Sequence, residues 1–160
     1  MTAMNKDQLY QQLAAQAKSL VDGVDNVVGA LGNVAALLKE ELPYYFWVGF
    51  YRVKEGCLQL GPFQGPVACY SIEKGRGVCG TAWDKAQTLV VPDVHQFPGH
   101  IACSSRSNSE IVVPVIHGGE VVAVIDVDSE DYDAFDEDDK SGLEAIAKIV
   151  APLVTKGYYL

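Results

Sequence analysis

Apolar residues recur at helical spacing through the first quarter of the chain. Between Lys6 and Leu42 they follow the i, i+3, i+4 pattern of amphipathic helices, which Gly23 and Asp25 interrupt. Pro43 cannot continue a helix, so the pattern ends there. We therefore predict either two helices or one bent helix in this segment.

Shorter apolar runs separated by turn residues follow, and they predict β-strands. The runs are YYFWVGFYRV (44–53), CLQLGPF (57–63), PVACYSI (66–72) and TLVVPDV (88–94), with a helical turn at GTAWDKAQ (80–87). Residues 109–129 predict a hairpin in which Gly118 and Gly119 supply the positive-φ turn. Acidic residues then open a closing helix over 135–154.

Together these elements predict an α+β fold. Strands joined by tight turns form an antiparallel sheet, helices pack against one face of it, and the other face is left for a pocket covered by loops. We expect residues 1–160 to form a single domain, with a helical segment at 1–42. The sheet, the site loops and the closing helix then occupy residues 43–160.

The charge balance excludes several classes of partner. The formal net charge is −9 in 160 residues, whereas nucleic acids and anionic membranes require a basic surface. No apolar run approaches the ~18 residues of a membrane span, and the amino terminus lacks the apolar core of a signal peptide. We expect a cytoplasmic protein, a setting in which thiols are kept reduced.

The four cysteines, which include no C-x-x-C pair, are candidates for core packing, metal binding or redox chemistry. Cys103 stands in the polar stretch GHIACSSRSNSE, which favours a loop and an exposed, reactive thiol. Cys69 and Cys79 lie beside glycine-containing loops that can bring a second sulfur towards Cys103, as a redox cycle requires. Cys57 lies within a predicted strand and fits core packing better.

The stretch GRGVCG (75–80) matches the pattern G-x-G-x-x-G of dinucleotide sites. Such a site needs a full crossover helix and a parallel strand, whereas only a short helical segment follows here, within an antiparallel sheet. We favour a flexible loop that positions Cys79.

A metal site is a further alternative near Cys103. His95, His100 and Cys103 give the pattern H-x4-H-x2-C, and Asp93 lies close by in the sequence. Structural zinc sites usually contain two closely spaced ligand pairs, and the second pair is missing here. We therefore include no metal in the predicted site.

Acidic residues end the second strand of the predicted hairpin. Asp126 and Asp128 are two residues apart in AVIDVDS, so both project from one face of the strand, continuing Val122 and Val124. The intervening apolar residues form the opposite, core-facing stripe. A face that changes from apolar to acidic indicates the rim of a pocket, although a solvated strand end gives the same pattern.

Glu110 begins the first strand of the same hairpin. With a plain two-residue turn it would face Val127 and lie on the opposite side of the sheet from the aspartates. Sharing a pocket with them requires an odd-length loop or a β-bulge, for instance near Pro114. The hairpin register therefore tests whether the three carboxyl groups converge.

Trp47, Gly49 and Tyr51 alternate along one face of the first predicted strand. Aromatic residues in this pattern usually belong to a core. A glycine between two aromatic side chains can also let a ligand approach the backbone closely.

Taken together, these residues give a sequence that resembles the free methionine-(R)-sulfoxide reductases, a family of single GAF-type domains. The matching segments are WVGFY (47–51), LGPFQG (60–65), VAC (67–69), GRGVCGTA (75–82), VPDVH (91–95), GHIAC (99–103), SNSEIVVP (107–114) and IDVDS (125–129). The resemblance runs from about Trp47 through the last helix. It implies a six-stranded antiparallel sheet, with helices on one face and a nearly closed pocket on the other.

The resemblance also implies the reaction. Free methionine-(R)-sulfoxide would be reduced to methionine, an antioxidant repair of the free amino acid, with Cys103 as the nucleophile. Cys69 would be the main resolving thiol and Cys79 a second thiol able to take part. Thioredoxin would be the external reductant, without a bound cofactor, and the protein would be a homodimer.

In the same way, the resemblance assigns the substrate contacts. Glu110, Asp126 and Asp128 match carboxylates that bind the substrate and activate the sulfoxide. Trp47 and Tyr51 match the aromatic wall around the substrate methyl group.

Two other classes compete with this interpretation. GAF-type domains often sense ligands such as cyclic nucleotides, although a sensor has no need of three poised thiols. A redox-sensing disulfide protein without a substrate would need the cysteines but not the carboxylates.

Overall fold

The computed structural model describes residues 3–101 and 103–156, so the ends of the predicted domain (1–2 and 157–160) and Ala102 lie outside the described residues. Helices and strands follow one another as α1 (Lys6–Val21), α2 (Val27–Glu41), β1 (Trp47–Lys54), β2 (Cys57–Gln64), β3 (Ser71–Glu73), α3 (Gly77–Lys85), β4 (Leu89–Val91), β5 (Ser109–His117), β6 (Glu120–Ser129) and α4 (Glu137–Val154). In these parts of the chain, none of the helices combines the length and the hydrophobicity that crossing a bilayer requires.

The six strands form one antiparallel sheet in the order β3-β2-β1-β6-β5-β4. The predicted α+β fold is therefore confirmed. Helices α2 and α4 bury their apolar sides against one face of the sheet, and α1 packs on these two helices in the same apolar core. The short α3 packs on the other face instead, because Val78, Ala82 and Trp83 point its apolar side there. The prediction of helices on one face thus holds for the three long helices only.

The amino-terminal segment forms two helices, one of the two predicted arrangements. Gly23 adopts a φ of +69° between them, a conformation that ordinary side chains disfavour. Each helix then begins with an asparagine whose side chain accepts a backbone N–H, from Gln8 at Asn5 and from Gly29 at Asn26.

The predicted strand at 66–72 is mostly wrong, because only β3 is a strand there. Gly65, with a φ of +136°, turns the chain out of β2, and Pro66 has no N–H to donate to a neighbouring strand. Residues 66–70 are therefore left as a loop that carries Cys69.

The β5–β6 hairpin contains the β-bulge that convergence of the carboxyl groups requires. His117 pairs with Glu120 across a two-residue turn, and Val115 pairs with Ala123, so β6 contains one extra residue, at Val122. The bulge lies one to two residues from the expected position at Pro114. It places Glu110 opposite Asp128.

The bulge also corrects one detail of the predicted strand face. Val124 lies on the face of Asp126 and Asp128, as expected, but Val122 packs against the core on the helix-covered face. An extra residue shifts the alternation of side chains by one. Even-numbered residues of β6 therefore lie on one face of the sheet before the bulge and on the other face after it.

A buried hydrogen-bond network joins the first helix to the last. Asp139 of α4 is fully buried, and its Oδ1 accepts hydrogen bonds from the hydroxyls of Tyr10 and Tyr44, each at 2.6 Å. Its Oδ2 accepts from Lys6 Nζ at 2.7 Å and from the backbone N–H of Asp136 at 2.8 Å. A buried carboxylate with four donors stabilises the fold because each oxygen is satisfied.

Replacing Asp139 by asparagine should lower the free energy of unfolding by about 3 kcal/mol, the scale of breaking a buried charge pair by removing one partner. The amide nitrogen would meet donors where an oxygen now accepts. Urea denaturation measures the loss. The matched control is Asp138→Asn, an exposed neighbour with the same charge change, which should stay within about 0.5 kcal/mol of the wild type. Equal losses in both variants would contradict the role of the network.

Candidate active site

A pocket lies on the sheet face opposite the three long helices. Its floor consists of β1, β5 and β6, and its walls are α3, the loop at 66–70 and loop residues within 97–101 and 103–108. All eight residues predicted for the site line it or join its wall: Trp47, Tyr51, Cys79, Cys103, Glu110, Asp126 and Asp128 line it, and Cys69 is bonded to Cys103.

The three carboxyl groups occupy neighbouring positions on the sheet. Asp128 pairs with Glu110 of β5 on one side and with Trp47 of β1 on the other, and Asp126 pairs with Gly49. Glu110 is 5% exposed and Asp126 is 7% exposed, whereas Asp128 is half-buried. The geometry thus brings the three groups together in one pocket, as predicted.

This crowding favours the neutral form of two of the acids. Burial raises the pKa of Glu110 well above its usual range, and the charges of Asp126 and Asp128 raise it further. Burial and the charge of Asp126 raise the pKa of Asp128 in the same way. Burial also raises the pKa of Asp126, but hydrogen bonds with Glu110 and Cys79 lower it. The arrangement therefore favours one carboxylate, Asp126, beside two carboxylic acids.

Cys69 and Cys103 form a disulfide bond at the mouth of the pocket, with their Cα atoms 5.6 Å apart. Cys103 is exposed, as the polar stretch around it predicts, and Cys69 is half-buried. The loop that carries Cys69 is bonded to the floor of the pocket. The Tyr51 hydroxyl donates to the carbonyl of Cys69 at 3.0 Å, and Trp47 Nε1 donates to the carbonyl of Pro66 at 3.0 Å.

Cys79 lies in the first turn of α3, so the predicted flexible loop at GRGVCG is wrong. Gly77 begins the helix with a φ of +62°, and a Cβ at Gly80 would collide with the backbone of Glu73 and Gly75. Burial raises the pKa of the Cys79 thiol well above its usual value, and the charges of the neighbouring carboxyl groups raise it further. Cys79 is therefore a fixed, mainly protonated thiol beside the acids.

Trp47 and Tyr51 form an aromatic wall, with ring centroids 6.0 Å apart. Trp47 also stacks on Phe63 at 5.1 Å. The expectation that Gly49 lets a ligand reach the backbone is wrong, because a Cβ there would collide with Phe63 and with the Trp47 ring. The glycine instead gives these two aromatic side chains room to stack.

The alternative metal pattern does not assemble. The His95 ring is hydrogen-bonded to Asn108 at 3.0 Å, and Cys103 is in the disulfide. Among residues 3–101 and 103–156, one group of three potential ligands comes together, and it consists of Cys79, Glu110 and Asp126.

Cys57 lies away from the pocket. It is half-buried on β2, and its sulfur accepts a hydrogen bond from Gln59 Nε2 at 2.8 Å. The prediction gave this cysteine no role in the chemistry.

Other pocket residues were not predicted from the sequence. Arg76 stands between two glycines at the start of α3 and lines the pocket. Its position close to Cys79 in the sequence was the signal that could have identified it as a pocket residue. His100 also lines the pocket, and burial, followed by the charge of His95, lowers its pKa. Phe46 and Ser107 complete the mouth, and nothing in their local sequence distinguishes them.

Comparisons with known proteins agree with this geometry. Residues 7–155 match the family model of the GAF domain. The GAF domain-containing protein A of Dictyostelium discoideum is 52% identical over 147 residues, which cover 91% of this chain and 92% of that protein. The free methionine-R-sulfoxide reductase of Escherichia coli (strain K12) is 42% identical over 156 residues, covering 97% and 94%. The X-ray structure of free methionine-R-sulfoxide reductase from Neisseria meningitidis in complex with its substrate superposes with a TM-score of 0.92 at 47% identity, covering 98% and 94%.

Replacing Glu110 by glutamine should stabilise the fold increasingly as the pH rises. Its folded pKa is raised, so above the ordinary glutamate pKa the unfolded state binds fewer protons than the folded state, and stability falls with pH. Glutamine removes this penalty. We expect the difference in free energy of unfolding between Glu110→Gln and wild type to grow in favour of the variant from about pH 5 to about pH 8.

Urea denaturation across this pH range measures the difference. Glu120→Gln, at an exposed position of the same hairpin, is the matched control and should run parallel to the wild type. A Glu110→Gln curve that is also parallel would contradict the raised pKa.

Proposed function

Because this chain belongs to the GAF-domain family of free methionine-(R)-sulfoxide reductases, we propose that it reduces the R-sulfoxide of free methionine to methionine. The family and the oxidoreductase class that the sequence predicted are confirmed by these relatives. The observation that carries the proposal is the disulfide between Cys69 and Cys103, placed at the mouth of a pocket floored by three carboxyl groups.

The first step requires a thiolate and an acid. The Cys103 thiolate attacks the electrophilic sulfur of the sulfoxide, whose oxygen leaves poorly until it is protonated. Glu110 or Asp128 donates this proton, which is supported by the raised pKa of both groups. The oxygen passes to the Cys103 sulfur as the bond between the two sulfurs breaks, so methionine departs and Cys103 is left as a sulfenic acid.

The second step restores the thiols. The Cys69 thiol condenses with the sulfenic acid, which releases water and forms the disulfide. A thioredoxin dithiol then reduces this disulfide by exchange and becomes oxidised in turn. Overall, two electrons pass from thioredoxin to the sulfoxide, so the proposal requires no bound cofactor. A homodimeric, cytoplasmic enzyme is the expectation from the resemblance.

The pocket charges explain a preference for the free amino acid. A free methionine sulfoxide is a zwitterion, and we assign its ammonium group to the carboxylate of Asp126. Arg76 lines the pocket together with His100, Ile101, Cys103 and Ser104, and we assign the substrate carboxylate to this side. A methionine within a polypeptide lacks both charges and would leave the buried Asp126 without its partner.

Single-turnover measurements separate the roles of the cysteines. We expect Cys103→Ser to release no methionine. Cys69→Ser should release one equivalent but fail to cycle with thioredoxin. Cys57→Ser is the control and should behave as the wild type, because Cys57 lies away from the pocket. Full activity in Cys103→Ser would overturn the mechanism.

Asp126→Asn should raise KM for free methionine-(R)-sulfoxide about 30-fold, the effect of losing ~2 kcal/mol from a charge-assisted contact. The measurement is a coupled NADPH assay with free and peptide-bound sulfoxide, each epimer separately. Asp84→Asn, exposed on α3, makes the same charge change away from the acids and should leave KM unaltered. A peptide sulfoxide reduced as efficiently as the free amino acid would contradict the proposed selectivity.

A further inference from the structure

Cys79, Glu110 and Asp126 form a compact group of metal-ligand type within the pocket. One ligand atom from each side chain lies within 4.8 Å of the other two, and all three residues are buried. They belong to three regular elements, α3, β5 and β6, so their positions are set by the packing of the fold rather than by a loop.

A second observation points to a ligand at the same place. Asp126 lines the pocket and is only 7% exposed. Its Oδ1 atom is buried and has no hydrogen-bond partner. Such an oxygen loses its hydration without compensation, which a bound cation would supply.

We propose that the pocket binds one Zn²⁺ ion through the Cys79 thiolate, one oxygen of Glu110 and one oxygen of Asp126, and that this ion excludes the sulfoxide. The exclusion of substrate, but not the binding of the ion, rests on the proposed function.

The donor set favours zinc over the common hard cations. Mg²⁺ and Ca²⁺ prefer six or more oxygen ligands, whereas Zn²⁺ accepts a thiolate and carboxylates in a four-coordinate site. Three protein ligands leave one coordination position open. The metal ion would replace the protons of the Cys79 thiol and of Glu110, and its charge would offset the repulsion among the ionised ligands.

The site is reachable from solvent. Cys79, Glu110 and Asp126 line the same pocket as the exposed Cys103. In the disulfide form Cys69 and Cys103 have no free thiol, so Cys79 supplies the sulfur ligand in the pocket. Zinc and substrate then compete for Glu110 and Asp126.

Equilibrium dialysis of the oxidised protein against Zn²⁺, followed by metal analysis, tests the proposal without any turnover. The wild type should bind one zinc per chain. Cys79→Ser should bind it at least about tenfold more weakly, since even outer-shell changes cost tenfold or more. Cys57→Ser removes the other free thiol and is the matched control, with unchanged binding.

A second readout uses Co²⁺ in place of Zn²⁺. The wild type and Cys57→Ser should show a thiolate-to-cobalt absorption band that Cys79→Ser lacks. If Cys79→Ser does not fold, as judged by circular dichroism, Glu110→Gln serves as the ligand variant and should bind zinc more weakly. No zinc bound by the wild type, or equal binding by Cys79→Ser, would overturn the proposal.

Adding free methionine-(R)-sulfoxide should weaken zinc binding, and zinc should raise the KM for the sulfoxide. The two proposals fail in different ways. Without turnover of the sulfoxide by the metal-free protein, the proposed function is wrong while zinc binding through Cys79 stands. If the metal-free protein turns over the sulfoxide but Cys79→Ser binds zinc as tightly as the wild type, only the metal site is wrong.

Discussion

The pairing of Glu110 with Asp128 is the contact on which the site depends, and the bulge at Val122 makes it possible. In a regular hairpin with the same turn, Glu110 would point into the helix-covered core, where a carboxyl group would have no suitable partner. The extra residue shifts the alternation of side chains in β6 relative to β5, so the Glu110 carboxyl group lies in the pocket. The electrostatics of the site therefore follow from a single irregularity in backbone pairing.

Carboxyl groups have different surroundings on the two sides of the sheet. On the helix-covered side, Asp139 is buried with four hydrogen-bond donors and ties the first helix to the last. In the pocket, Glu110 and Asp128 are crowded together, and burial raises their pKa. The first arrangement stabilises the fold, and the second costs stability in order to keep acids protonated. Such a division is typical of proteins whose reactive sites are held by a rigid frame.

Local signals in the sequence were sufficient for much of the structure. Gly23 and Asp25 marked the break between two helices, and the polar surroundings of Cys103 indicated its exposure. The hairpin turn was predicted from two glycines. Periodicity alone could not decide on which face of the sheet Glu110 lies, because this bulge has no distinct residue signature. The role of Gly49 depended on the Phe63 side chain of the neighbouring strand, and that of Gly80 on the close approach of the Glu73 backbone. Contacts of this kind are set by tertiary packing.

The two hydrogen bonds that hold the Cys69 loop have a consequence for the opening of the disulfide. Tyr51 and Trp47 of the sheet bind carbonyl groups on this side. The N–H of Cys103 instead bonds within its own segment, to the carbonyl of Ile101, and farther along this segment Arg106 pairs with Glu130 at the surface. We therefore expect separation of the two sulfurs to displace Cys103 more than Cys69. The change between disulfide and free thiols is then concentrated on the more exposed of the two cysteines.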